Sequence, residues 1–515
     1  MYFKNKKRII LYELKLRYFN HINSSSAIDD ILNLNSKIAY FNQMNINVVS
    51  VNDFFDTEYL ALNNHINFLN SNFLEEFQTI IGNFKTNNID LAVTLDLKSI
   101  RNSYMNLQNL VVKDAGIENE SNTFVRKTID DYLLNTQEFI QKNINNLSSF
   151  LNKFNDLISF YFKLGINCFV LDNFEYLINE TINESQSYRV LEDIYKTIKH
   201  YSNDNIVILK TNFDCNKKYN QFIYFSKTIC DYLYLNLVNS FGINKKLMYA
   251  KVNKINYKNI KKNILPYLKD SSYILGLNND KFGRFLSKFD VLKSYTTELY
   301  KTYLMLINSG KNSIGLYYGD ELPILGASIY HANDLNDDNY NEIKRYYESR
   351  GISNKKYFNN RKILDSINNK TYLPWNNDNY VSNFDYDKNN RNKISLDYEK
   401  YNVENQLNNR NSFINFIKYL NEIRSNDVLS NLFIKGKLTV KKSKNVIKIY
   451  WKYKEIRIVF LINIDCKFKH LWWNSIYDDW NIIASTYIDK FYNSIVNLQP
   501  YESIILFKNK HNNNN

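Results

Sequence analysis

The spacing of hydrophobic positions changes character along this chain. Through roughly the first 330 residues, short β-branched or aromatic runs alternate with longer stretches in which apolar residues recur at helical intervals. That order of elements is the signature of an α/β protein. The runs expected as strands are 9–14, 47–51, 91–95, 168–171, 206–209, 232–237, 273–277 and 314–318. Several are continuous apolar runs without polar alternation, as parallel strands covered on both faces require. Amphipathic stretches at 31–45, 73–86 and 147–164 each end just before a strand. Eight parallel strands with helices between them predict a TIM (β/α)8 barrel, with its active site on the loops that follow the strands' C-terminal ends.

A polar excursion at 101–143, rich in Asn and Ser, reads as a small lobe inserted after the third strand. Residues 330–410 are Asn- and Asp-rich and weakly periodic, and 412–424 carries a strong helical pattern. The pattern then switches to period two at 446–453, 456–464 and 502–507, predicting a C-terminal antiparallel β-sandwich domain. The expected layout is a barrel over 1–100 and 144–425, the lobe at 101–143, a β domain at 426–510 and a disordered tail at 511–515.

Composition narrows the function classes. Only 12 Gly and 4 Pro stand beside 42 Tyr and 33 Phe in 515 residues, a skew that fits drift in an AT-rich genome. The net charge of +14 ordinarily suggests a nucleic acid or an anionic membrane. Here the basic runs at 4–8, 258–262 and 435–444 are short and separated, so no nucleic-acid partner is expected. Cys168, Cys215, Cys230 and Cys466 lack metal-ligand spacing and read as reduced thiols of a cytoplasmic protein. No apolar run reaches the ~18 residues of a transmembrane helix, so no membrane partner is expected, and the N-terminus has no signal-peptide pattern.

Several segments carry a family resemblance. Leu304 to Gly310 followed by Ile314 to Leu322 includes Gly310, Gly315 and Gly319, with Gly326 just beyond, and looks like an eighth barrel strand and its loop. Tyr12 to Phe19, with Arg17, Ala39 to Val51, Leu95-Asp96-Leu97, Thr371 to Asn376, Tyr401 to Leu407 and Leu498 to Glu502 follow in order. Together they resemble the α-amylase family of glycoside hydrolases, most closely its α-glucosidase branch, which includes oligo-1,6-glucosidases and trehalose-6-phosphate hydrolases.

What the resemblance implies for chemistry is uneven. Retaining glycosidases use two carboxyl groups about 5–5.5 Å apart, one as nucleophile and one as proton donor. Cys168 to Asp172 matches the family's Gly-Phe-Arg-x-Asp motif, which puts Asp172 at the nucleophile position and replaces the charge-holding Arg by Val170. The proton-donor Glu falls on Lys210 or Thr211, neither an acid; Asp214 and Glu175 are the nearest candidate substitutes. Asn278-Asn279-Asp280 matches Asn-His-Asp, keeping the third acid at Asp280 and losing the His. Asp96 and Arg284 take substrate-binding positions, although Asp96 also suits a helix-capping or loop-fixing role. Asp320 and Glu321 are expected to fix the loop after the eighth strand, and Trp375, Trp472 and Trp473 to pack rather than stack on sugar.

The resemblance also matches Asp96 to Arg101 to the family's Asp-x-x-x-Asn-His motif, with Arg101 where the His would stand, so the proton donor, the Arg beside the nucleophile and both substrate-gripping histidines are missing together. The expectation is an α-glucosidase-like homologue that is catalytically degenerate and binds a carbohydrate or a protein partner. An active, divergent α-glucosidase or phosphotrehalase, and a soluble amylase-like scaffold, are the alternatives. No cofactor and no metal are implied.

Overall fold

The computed structural model describes residues 8–19, 27–52, 71–97, 147–174, 184–211, 228–235, 241–244, 249, 251–252, 257–335, 340–376, 395, 397–443, 446–471, 480–487 and 496–509. The expected lobe at 101–143 and the tail at 511–515 lie outside them. Among the described residues no helix is long and apolar enough to cross a membrane.

The eight expected strands form in the expected order. They are β1 (Ile10–Lys15), β2 (Val48–Asn52), β3 (Asp90–Asp96), β4 (Cys168–Asp172), β5 (Ile206–Thr211), β6 (Tyr232–Leu235), β7 (Tyr273–Gly276) and β8 (Ser313–Tyr317). Each pairs with the next, and β8 returns to pair in parallel with β1, closing the barrel. Side chains alternate across the wall. Ile9, Leu11, Val48, Ala92, Cys168, Val170, Ile208, Tyr232, Tyr234 and Ile274 fill the interior. Tyr12, Leu14, Val49, Val51, Leu91 and Val93 face outward into the core shared with the helices.

Two retained glycines have a physical reason. The Tyr234 ring crosses the interior against β7 and β8, and a Cβ on Gly315 would stand 2.7 Å from it. Gly319, just past β8, has φ +86°, a conformation that side chains with a Cβ resist.

After the barrel come β9 (Lys437–Ser443), β10 (Val446–Tyr453), β11 (Ile456–Asn463), β12 (Lys469–Leu471), β13 (Asn481–Ser485), β14 (Val496–Leu498) and β15 (Ser503–Asn509). They build a five-stranded antiparallel sheet in the order β13-β15-β11-β10-β9 and a two-stranded sheet of β12 and β14. Val446, Val459, Leu461, Ile504 and Leu506 of the larger sheet pack with Leu471 and Leu498 of the smaller one. The opposite face of the larger sheet, with Ile447, Ile449, Trp451, Ile458 and Phe460, joins the core of the barrel helices. Polar anchors fix that seam. Trp451 Nε1 donates to the Ser309 carbonyl at 2.8 Å, and the Thr302 hydroxyl donates to the Tyr501 carbonyl at 2.5 Å.

Local chemistry explains the helices along this seam. Phe413–Ser425 begins where the Ser412 hydroxyl accepts from the Asn415 N–H, and Asp427–Lys435 begins where the Asn426 side chain accepts from Val428 and Leu429 N–H. The weak periodicity at 330–410 understates the order there. Helices Tyr340–Glu348, Asn354–Leu364 and Val403–Asn408 form, and Tyr340, Ile343, Tyr347 and Tyr357 gather in a small core with Ala327 and Ile329.

Candidate active site

The interior alternation of the barrel runs upward into polar residues at the strands' C-terminal ends. On β5, Ile208 lies inside, so Lys210 two positions later also points inward and Thr211 points outward. Lys210, fully buried, is the hub of the site. Its Nζ lies 2.5 Å from Glu13 Oε1 on β1, 3.1 Å from Asp172 Oδ2 at the end of β4, and 3.0 Å from Asp280 Oδ1 in the loop after β7. Glu13 Oε1 also accepts from Asn52 Nδ2 on β2 at 3.0 Å.

Two further lysines stand nearer solvent. Lys281 Nζ lies 3.5 Å from Asp172 Oδ2 and 3.7 Å from Asp280 Oδ2, and donates to Asn173 Oδ1 at 2.9 Å. Lys15 Nζ is 3.9 Å from Asp280 Oδ2. Three carboxylates thus meet three ammonium groups around one buried point. Asp96, paired in register with Asp172, is half-buried beside them and adds its negative charge to the field on Lys281.

The electrostatics follow from this packing. Burial alone would drive the Lys210 ammonium toward neutrality, but Asp172, Asp280 and Glu13 outweigh it and hold the amine protonated well beyond the ordinary lysine range. Burial likewise opposes charge on Asp280, and Lys210, Lys281 and Lys15 overcome it, keeping this carboxyl ionised well below the usual range. Glu13 goes the other way. Its desolvation outweighs the Lys210 attraction and raises its pKa, with Asp280 and Asp172 adding repulsion.

A second polar layer braces the loop after β8. Glu321 Oε1 accepts from the hydroxyls of Tyr12 at 2.7 Å and Tyr40 at 2.6 Å. Asp320 accepts from the Asn278 amide and from the Tyr317 N–H, and burial lifts its pKa to about 7 against the opposing pull of Arg284. Both carboxyls sit where loop-fixing was expected.

Of the residues singled out in the sequence, Asp172, Asp280 and Lys210 converge, and Asp96 lies beside them. Arg284 does not. It is 1 % exposed, donates to the Tyr318 carbonyl at 2.8 Å and lies near the rings of Tyr317 and Tyr318. Arg284 is thus set in the framework under the β8 loop, apart from the Lys210 cluster. Val170 faces the barrel interior beneath Asp172 and supplies no charge. Asp214, Glu175, Trp472 and Trp473 lie outside the described residues. Trp375 packs against Phe19 and Tyr40 and donates its indole N–H to the Phe19 carbonyl at 2.8 Å.

Sequence reasoning missed Glu13, Lys15 and Lys281. A signal for the first was available: a carboxylate on the inward period of an otherwise apolar strand needs a buried counter-charge.

A closed eight-stranded parallel barrel with charged residues gathered at its C-terminal mouth defines the class of this protein as a TIM barrel whose polar site lies on the face where such barrels carry their chemistry. A family model described as the alpha-amylase catalytic domain matches residues 95–431, and the chain belongs to the alpha-amylase family. Its structure is similar to the trehalose-6-phosphate hydrolase of Bacillus licheniformis, at 12% identity and a TM-score of 0.72, covering 98% of this chain and 99% of that one. It is also similar to the isomaltulose synthase of Klebsiella sp. LX3, at 11% identity and a TM-score of 0.69, over 97% and 98% of the two chains. A variant of the isomaltulose synthase of Erwinia rhapontici NX5, solved in complex with its natural substrate sucrose, matches at 13% identity and a TM-score of 0.70, over 97% of this chain and 98% of that one. A search of curated proteins finds no match.

Proposed function

We propose that this protein is a catalytically degenerate member of the α-glucosidase branch, which keeps the family's site architecture without its acid–base chemistry. The observation that carries the reading is Lys210. It is one of the two residues on which the family's proton donor falls, and its ammonium group stands 3.1 Å from Asp172, the residue read as the nucleophile, as an ion pair.

A general acid must give up its proton to the leaving oxygen and take it back from water, which requires a pKa near the working pH. Lys210 fails that requirement because three carboxylates hold its proton. Asp280 fails it in the other sense, as an acid held ionised. Glu13 has a raised pKa, but it is buried, accepts from Asn52 and is paired with the Lys210 ammonium. Asp172 is itself ion-paired to Lys210 and Lys281, so attack on an anomeric carbon would first require breaking those pairs.

The fold and the neighbours' carbohydrate chemistry support α-glucosides as the ligand class and a binding or scaffolding role in carbohydrate metabolism. The test is hydrolysis of 4-nitrophenyl α-glucoside alongside calorimetric binding of glucose, sucrose and trehalose. The expected result is no turnover above the uncatalysed background. Turnover that Asp172→Asn abolishes would overturn the reading and favour an active enzyme with a recruited acid.

A further inference from the structure

The C-terminal sheet gathers cations that are scattered in the sequence. Residues directly opposite one another on neighbouring strands share a face. The β9–β10 register sets Lys437 opposite Lys452 and Lys441 opposite Lys448. The β10–β11 register sets Lys452 opposite Arg457, and the β11–β15 register sets Arg457 opposite Lys508. Lys437, Lys452, Arg457 and Lys508 therefore form one line across four adjacent strands, with Lys441 and Lys448 in a second line on the same face. At a strand separation of about 4.8 Å the first line is about 14 Å long.

This is the outer face of the sheet, its reverse being packed on the barrel helices. The two-stranded sheet packs on the part of the outer face bearing Val446, Val459, Leu461, Ile504 and Leu506, with Tyr450 against that cluster. Lys437, Lys441 and Lys452 are exposed, and Arg457 and Lys448 are half-buried. Among the described residues no carboxylate pairs with Lys437, Lys441, Lys448, Lys452 or Arg457. Tyr450 lies between the two lines, opposite Thr439 and Val459, with Lys441 Nζ 5.4 Å from its ring centroid.

Lysines on β9 alone would be explained as protection of an edge strand against pairing with other chains. That leaves Lys448, Lys452 and Arg457 on the inner strands unexplained, and like charges placed directly opposite destabilise a sheet. A straight line of cations is the complement of a linear polymer carrying one negative charge per unit, and an adjoining aromatic ring suits a chain of bases. We infer that this sheet face binds the phosphate backbone of single-stranded nucleic acid, with Lys437, Lys452, Arg457 and Lys508 as the phosphate contacts. Strand register brings part of the basic run at 435–444 together with single cations of β10, β11 and β15, a grouping that the sequence does not display. This surface is independent of the barrel site.

The test is fluorescence anisotropy of the full chain with a labelled 20-nucleotide single-stranded RNA of mixed sequence at several salt concentrations. Four phosphate contacts predict a slope of log affinity against log salt near −3, from about −0.7 per contact. The triple variant Lys437→Gln, Lys452→Gln, Arg457→Gln should lower that slope by about 2 and weaken binding at least ~10-fold. Lys452→Gln alone, a milder change, should lower it by about 0.7. The variant Lys258→Gln, Lys261→Gln, Lys262→Gln, which removes the same charge from an exposed part of the helix Tyr257–Asn263, should bind as the native chain does. Absence of binding at 50 mM salt, equal loss in this control, or competition by a polyglutamate peptide at the same charge concentration would overturn the proposal, the last in favour of an acidic protein segment.

Discussion

At the scale of single residues the site is an ion network around Lys210, and its energetics are asymmetric. Removing one partner of a buried ion pair costs about 3–5 kcal/mol because the other charges stay buried and unpaired, whereas replacing both is far cheaper. Lys210→Met leaves Glu13, Asp172 and Asp280 facing one another around an apolar side chain. We expect it to lose stability in that range by urea denaturation, and the double variant Glu13→Gln, Lys210→Met to recover about 2 kcal/mol of the loss. Equal losses in both would show that Glu13 does not feel Lys210. This residue-level arrangement was only half legible in the sequence. Family motifs marked Asp172 and Asp280, but nothing local to position 210 says that its counter-charge sits on the first strand.

At the scale of elements, the turn after β8 shows how a buried carboxyl couples a strand end to its neighbours. Asp320 ties the Asn278 amide of the β7 loop to the Tyr317 N–H of β8, and burial lifts its pKa to about 7. A carboxyl raised in the folded state holds its proton more tightly there than in the unfolded chain. Its contribution to stability is full below the ordinary Asp range, declines as pH rises, and is lost above about pH 7. The decline amounts to up to about 4 kcal/mol. Asp320→Asn, which stays neutral throughout, should therefore flatten the fall in urea midpoint between pH 4 and 7. An unchanged profile would place that titration elsewhere. Strand existence was readable for the whole barrel because continuous apolar runs mark parallel strands covered on both sides. β9 was not, since its sequence Lys-Leu-Thr-Val-Lys-Lys-Ser hides a period-two pattern inside a basic run.

At the scale of the whole molecule, the β domain is a structural part of the barrel's core. Trp451 is almost fully buried, meets the Phe433 ring at 5.1 Å and holds the Ser309 carbonyl. A chain ending at residue 436 would expose the helix faces that Ile447, Ile449, Trp451 and Phe460 cover, and we expect it to be insoluble or to melt well below the full chain. A truncated barrel with native melting temperature would sink that view. The collinear family segments made the overall architecture legible, whereas the seam depends on contacts between distant segments that no local pattern encodes. Lys210 and Glu13 are such a distant pair, 197 positions apart. Placing Glu at position 210 alone would crowd it against Glu13, Asp172 and Asp280, and neutralising Glu13 alone would take from Lys210 its nearest counter-ion. Neither single step is favourable, so the charges at positions 13 and 210 lock each other: each residue is the reason the other cannot change sign alone.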